Sequence, residues 1–138
     1  MGGKKVTVIG SYNVGLFLKG VRLPKKGETV IGHTFHEGGG GKGSNQAIAA
    51  SCLGADVTFV GRIGNDKYGE AALEMYDHYG FGKDRIAVDE TIHTGISVIL
   101  IDDNGDNLIS VVPGANFNLS KEDIDGAEAE RLAKTQPW

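Results

Sequence analysis

Several things this chain of 138 residues has little of narrow its class at once. Its single cysteine, Cys52, permits neither an intrachain disulfide nor a cysteine cage for a metal. Three prolines and no regular glycine period exclude a collagen-like chain. Basic residues number 14 against 18 acidic ones, a net charge of −4, so the basic stripe that nucleic-acid backbones require is missing. No apolar run approaches the ~18 residues needed to span a bilayer. Met1-Gly2-Gly3-Lys4-Lys5 leads straight into a short strand-like run, without the apolar stretch of a secretory signal. A cytoplasmic, single-domain protein is expected, with no membrane or nucleic-acid partner.

Metal-binding patterns are missing too. His33, His36, His78 and His93 form no H-x-x-x-H or H-E-x-x-H pair, and His33 and His36 should face opposite sides of a strand. Asp102, Asp103 and Asp106 lack the long ligand loop and later glutamate of a calcium site, and read as hairpin-turn residues. Cys52, on a helix of small residues, is expected to be a buried, inert thiol.

Glycine, by contrast, is abundant: 22 residues, roughly double the usual ~7%. Around these glycines the chain divides into elements. Val6–Ile9 reads as a buried strand, and Leu16–Leu18 as extended. Leu23–Glu28 is an exposed turn, and Thr29–Phe35 is a strand running into a loop, Gly38-Gly39-Gly40-Gly41-Lys42-Gly43. Ser44–Leu53 is a helix with a small-residue face, ended by Gly54. Val57–Val60 is a second buried strand. Asp66 caps a helix to about Tyr79, with Tyr68, Ala72, Met75, Tyr76 and Tyr79 on one face and Gly80 ending it. Gly95–Asp102 and Asn107–Val112 form a hairpin about Asn104-Gly105. Pro113–Asn116 breaks the chain, and Ser120 opens a helix expected to reach about Lys134. Buried strands alternating with helices predict an α/β fold, with a smaller β element projecting from it.

The glycine loop carries the chemistry. Gly38, Gly40 and Gly43 satisfy G-x-G-x-x-G, but that dinucleotide-binding fingerprint belongs directly after the first strand of a βαβ unit, where Ser11-Tyr12-Asn13 stands instead. Lys42 is followed by Gly43, not Ser or Thr, which excludes a Walker A loop. Uncovered N–H groups at a helix start, the Lys42 ammonium and the Asn45 and Gln46 amides make a mixed array suited to the hydroxyls of a sugar. A flexible turn with Lys42 solvated and Asn45 capping the helix is equally compatible with the residues.

The blocks Val8–Asn13, Leu23–Thr29 and Gly40-Gly41-Lys42-Gly43-Ser44-Asn45-Gln46-Ala47 resemble the N-terminal signature of the ribokinase-like (PfkB-type) carbohydrate kinases. Gly61–Asp66 with Gly69, Thr94-Gly95 and Pro113–Asn116 continue the resemblance in the family's order. It implies the N-terminal part of a three-layer α/β/α domain with a small β-sheet lid, from segments near 16–36 and 95–112. It also implies that Asn13, Gly40, Gly41, Lys42 and Asn45 lie against sugar hydroxyls, that ATP and Mg are used, and that lids pair in a homodimer. At the position of Gly15 the family usually carries an aspartate that accepts hydrogen bonds from the sugar diol, which leaves the sugar unnamed.

The family's catalytic aspartate, anion hole and most ATP contacts lie in a C-terminal half that nothing here matches. The chain is therefore expected to be a truncated, sugar-binding portion, inactive alone. A non-catalytic sugar-binding or regulatory relic and a dinucleotide-binding oxidoreductase fragment are the alternatives. Half a sheet leaves an edge and apolar faces uncovered, so the chain should be marginally stable unless it pairs. Its melting temperature should rise with protein concentration in calorimetry; a sharp, concentration-independent melt of a monomer contradicts this.

Overall fold

A computed structural model describes residues 3–126. In chain order the strands are β1 (Lys5–Ile9), β2 (Asn13–Gly20), β3 (Gly32–Gly40), β4 (Asp56–Gly64), β5 (Ile86–Asp89), β6 (Gly95–Asp102) and β7 (Asn107–Val112). The helices are α1 (Lys42–Cys52), α2 (Lys67–His78) and the single turn α3 (Lys121–Ile124), preceded by a 3₁₀ turn over Gly114–Asn118. β1, β4 and β5 form a parallel sheet with β4 in the middle. The other four strands form a mixed sheet in the order β3-β2-β6-β7. There β2 runs parallel to β6, while the β2–β3 and β6–β7 pairs are antiparallel.

The core explains why the helices lie where they do. Val57, Phe59 and Ile63 alternate along β4 and so share one face, on which Ala47 of α1 and Ala72 and Tyr76 of α2 pack, with Tyr12 and Phe81. Each large side chain removed from water there contributes about 2 kcal/mol. The alanines let the helices sit close to the sheet. Both long helices end in a Schellman motif: the Gly54 and Ala55 amides bond to the Ser51 and Ala50 carbonyls, and the Gly80 and Phe81 amides to those of Asp77 and Tyr76. At the second, the Phe81 ring packs on Tyr76 with centroids 4.8 Å apart.

Several expectations need correction. β1 is not fully buried: its residues alternate, with Val6 and Val8 turned to the core and Ile9 half-exposed, because the helices cover one face. β3 begins at Gly32 and absorbs Gly38-Gly39-Gly40, which pair with Gly15, Val14 and Asn13; the expected glycine loop is mostly strand. Its register shifts near Gly20, leaving His33 without a partner on β2 and interrupting the alternation expected for His33 and His36. Helix α1 starts at Lys42, before Ser44. Cys52 is exposed, and Tyr79 sits partly exposed at the C-cap of α2. β5 is an element the sequence pattern does not predict: four residues carry too little pattern, and their parallel pairing with Gly61–Gly64 defines the strand. The Ser120–Asp123 capping box opens α3, Asp125 leaves it, and the expected stretch to Lys134 lies largely outside the described residues. No helix among the described residues is long and apolar enough to cross a membrane.

Asp66 ties the two sheets together. Its carboxylate caps α2 by accepting from the Tyr68 and Gly69 amides, and it also accepts from the Thr94 amide (2.8 Å) and hydroxyl (2.7 Å) just before β6. Burial opposes its charge, but these donors outweigh that and hold the carboxyl below its ordinary value. A lowered folded-state pKa adds stability above the unfolded value near ~3.9, lost as pH falls through the folded one. Asp66→Ala should therefore cost about 2 kcal/mol at pH 7. Urea unfolding of both proteins should show the gap narrowing below pH 3.9; a pH-independent gap contradicts the assignment.

Candidate functional site

The site is assembled where β1 hands the chain to β2. Gly10 continues the β1–β4 ladder through its amide to the Val60 carbonyl (3.1 Å). A Cβ on Gly10 would stand 2.8 Å from the Cα of Gly43, so α1 approaches this turn backbone to backbone. The Ser44 amide donates to the Ser11 carbonyl (3.1 Å), fixing the helix start against the strand end.

Asn116 then clamps the next two residues. Its Oδ1 accepts from the Tyr12 amide (3.0 Å), and its Nδ2 lies 2.8 Å from the Tyr12 carbonyl and 2.9 Å from Asn13 Oδ1. The Pro113 carbonyl, at 2.8 Å, also faces Nδ2. Asn13 Oδ1 is thus occupied, and the Asn13 NH₂ has no partner among the described residues. The sequence pointed to Pro113–Asn116 as a chain break and a family block, and gave no sign that Asn116 orients Asn13. Only the fold brings residues 103 positions apart into contact.

The predicted residues converge. Asn13 begins β2 and pairs with Gly40 on one side and Gly95 on the other. Gly41 follows with φ 98°, ψ 139°, a conformation reserved for glycine, and a Cβ there would meet the Ser11 carbonyl oxygen at 2.5 Å. Lys42 opens α1, exposed and without an ion pair among the described residues. Asn45, one turn on, is exposed; its amide bonds to the Gly41 carbonyl, and its side chain does not cap the helix. No side chain caps α1 and no acidic residue stands in its first turn, so among the described residues only the Ser11 carbonyl answers its N-terminal amides. Asn13, Gly40, Gly41, Lys42 and Asn45 form a continuous run of neighbours rich in hydrogen-bond donors.

The G-x-G-x-x-G spacing is accounted for otherwise. Gly38 and Gly40 lie in an antiparallel strand and Gly43 inside the helix, so no turn after β1 carries the fingerprint.

A second polar group is structural. Asp89, 4% exposed, accepts from the Asn118 amide, from the Thr91 amide and hydroxyl, and from Arg62 Nε (3.0 Å). Those donors, Asn118 foremost, hold its carboxyl well below the ordinary range. Arg62 also bonds Asp123 (2.9 Å), and Arg85 bonds the Asp123 carbonyl, which pins α3 to β4. At the far turn, Arg22 grips Glu28 with two bonds and draws its carboxyl down to about 2. In the core, burial pushes the Tyr76 phenol up, and its oxygen and that of Ser44 are unpartnered among the described residues.

Comparison with known proteins gives a consistent result. The model of the family described as "pfkB family carbohydrate kinase" matches residues 3–136. A Bacillus subtilis ribokinase is 40% identical over 117 residues, 85% of this chain and 40% of that protein. A Mus musculus ribokinase is 38% identical over 122 residues, 88% of this chain and 38% of its own length. The chain thus spans about two fifths of the length of these relatives. Among solved structures, the Arabidopsis thaliana ribokinase complexed with ribose and ATP superposes with a TM-score of 0.77 at 33% identity, covering 91% of this chain and 42% of that one.

The close approach at Gly41 yields a direct contrast. Gly41→Ala should cost about 3 kcal/mol, from strain plus collision with the Ser11 carbonyl. Gly27 also has positive φ (77°) but open space around it, so Gly27→Ala should cost only about 1 kcal/mol. Urea denaturation of the two variants checks this; equal losses would remove the close approach from the account.

Proposed function

This chain belongs to the pfkB family of carbohydrate kinases, and from that premise we propose that it is the sugar-binding portion of a kinase moving the γ-phosphoryl group of ATP to a sugar hydroxyl. The observation that carries the reading is the convergence of Asn13, Gly40, Gly41, Lys42 and Asn45 at the start of α1, which carries no side-chain cap. The Asn13 NH₂, without a partner among the described residues, donates to a sugar oxygen, while Lys42 and Asn45 hold neighbouring hydroxyls. Fixing the acceptor this way converts transfer between two molecules into an oriented one, which is the positioning half of what a phosphoryl-transfer enzyme must do. In the transfer, the sugar oxygen bonds to the γ-phosphorus, the bond to the bridging oxygen of ADP breaks, and a base takes the hydroxyl proton. The base, the phosphate cradle and the Mg site are assigned to chain outside these 138 residues, so this chain alone is inactive.

The four-stranded sheet acts as the lid over the sugar, and the protein works in the cytoplasm as a homodimer. β7 supports the pairing: it is an edge strand exposed along its whole length, with Leu108, Ile109, Val111 and Val112 each at least 50% exposed. A non-catalytic sugar-binding relic is the alternative that Gly15 favours. Sugar binding without phosphoryl transfer in a chain of the relatives' full length would select it.

Isothermal titration with a panel of pentoses and hexoses tests the proposal. Lys42→Ala and Asn45→Ala should each weaken binding by about tenfold, the loss expected for one hydrogen bond to a charged or amide group. Unchanged affinity in both would remove the α1 start from the site, and no binding of any sugar by the folded protein would defeat the proposal.

A further inference from the structure

The mixed sheet has a front and a back. Asn13 of β2 shares the front with Gly40, Gly38 and His36 of β3, whereas Val14 shares the back with Gly39 and Glu37, because successive strand residues face opposite sides. Helix α2 lies behind. A Cβ on Gly39 would stand 2.8 Å from Met75 Sδ and 3.3 Å from Tyr12 Cε2, so the bare backbone of β3 rests against these side chains. Tyr68 precedes Met75 by seven residues, about two turns along the same flank of α2. Its hydroxyl donates to Glu37 Oε1 at 3.2 Å, and Lys67 Nζ stands 4.6 Å from its ring centroid.

The two contacts differ in what they permit. Met75 is unbranched and adaptable, and against a strand position with no side chain it forms a surface on which the sheet can rock. The Tyr68–Glu37 bond has a direction. Tilting the sheet forward, over the Asn13 side, carries Glu37 away from α2, and about half an ångström more takes the pair out of hydrogen-bond reach. Tilting it backward is blocked by Met75 and Tyr12. The bond therefore exists in one position of the sheet and not in the other, which lets a contact outside the site bias what happens within it.

Resting on the reading of this sheet as a lid over the sugar, we propose that Tyr68 and Glu37 form a latch that holds the sheet back from the site, and that sugar binding breaks it. Tyr68 is a positioning residue: it acts on the ligand through β3 and does not touch it. The latch opposes closure with the strength of one exposed hydrogen bond, and so weakens sugar binding by about threefold.

The test is isothermal titration of the protein with D-ribose and with D-fructose, joined to ligand-observed NMR for the dissociation rate, with circular dichroism confirming the fold of each variant. Tyr68→Phe, which removes only the hydroxyl, should bind sugar about threefold more tightly and release it more slowly, a gain that structural damage would not produce. Glu37→Ala, at an exposed position on an edge strand, should give the same gain without altering α2, and serves if the α2 variant unfolds. Combining the two should add nothing further, because both break one bond. Glu37→Gln keeps an acceptor for the phenol and should bind close to the wild type. Folded Tyr68→Phe and Glu37→Ala that bind as the wild type does or more weakly, or whose gains add in the double variant, overturn the latch while leaving the sugar site standing. Binding of neither sugar by the folded wild type defeats the sugar site itself, and the latch with it.

Discussion

Asn116 holding both the amide and the carbonyl of Tyr12 is the contact on which the arrangement turns. It fixes the chain at the point where the parallel sheet gives way to the mixed one, and the same amide nitrogen reaches Asn13 Oδ1. With Asn13 fixed, the ladders to Gly40 and Gly95 set the register of both flanking strands. Gly41 then has one geometry available, and α1 must begin at Lys42. A one-residue slip of β2 would turn Asn13 to the opposite face and put Val14 in its place. The donor cluster is therefore a consequence of register before it is a consequence of composition.

Asp66 plays the matching part on the other side of the sheet junction. It joins the start of α2 to Thr94, which leads directly into Gly95, the residue beside Asn13. Thr94 is fully buried and its hydroxyl also accepts from the Gly64 amide (2.9 Å), so little play remains in this route. Asn13 is thereby braced from two directions, through Asn116 and through β6. Such bracing is what a site needs if it is to orient a hydroxyl instead of merely attracting it.

Local signals in the sequence carried much of this. The Asp66 cap, the Ser120–Asp123 box, the Gly54 and Gly80 helix ends and the hairpin about Asn104-Gly105 each rest on chemistry within a few residues, and each stands where expected. The candidate residues were legible because Gly40 to Asn45 form one short motif and Asn13 follows a strand. Illegible were the features made by pairing between distant segments. Gly38–Gly40 look like loop residues by composition and become strand only through β2, and β5 exists only through β4. Cys52 is exposed, against expectation, because a small-residue helix has an outer face as well as an inner one.

Amide-resolved NMR during titration with a sugar tests the central claim most directly. The backbone or side-chain amide resonances of Asn13, Gly41, Lys42 and Asn45 should shift together along one saturable curve. Saturable shifts confined to other parts of the chain, with those four residues unmoved, would contradict it.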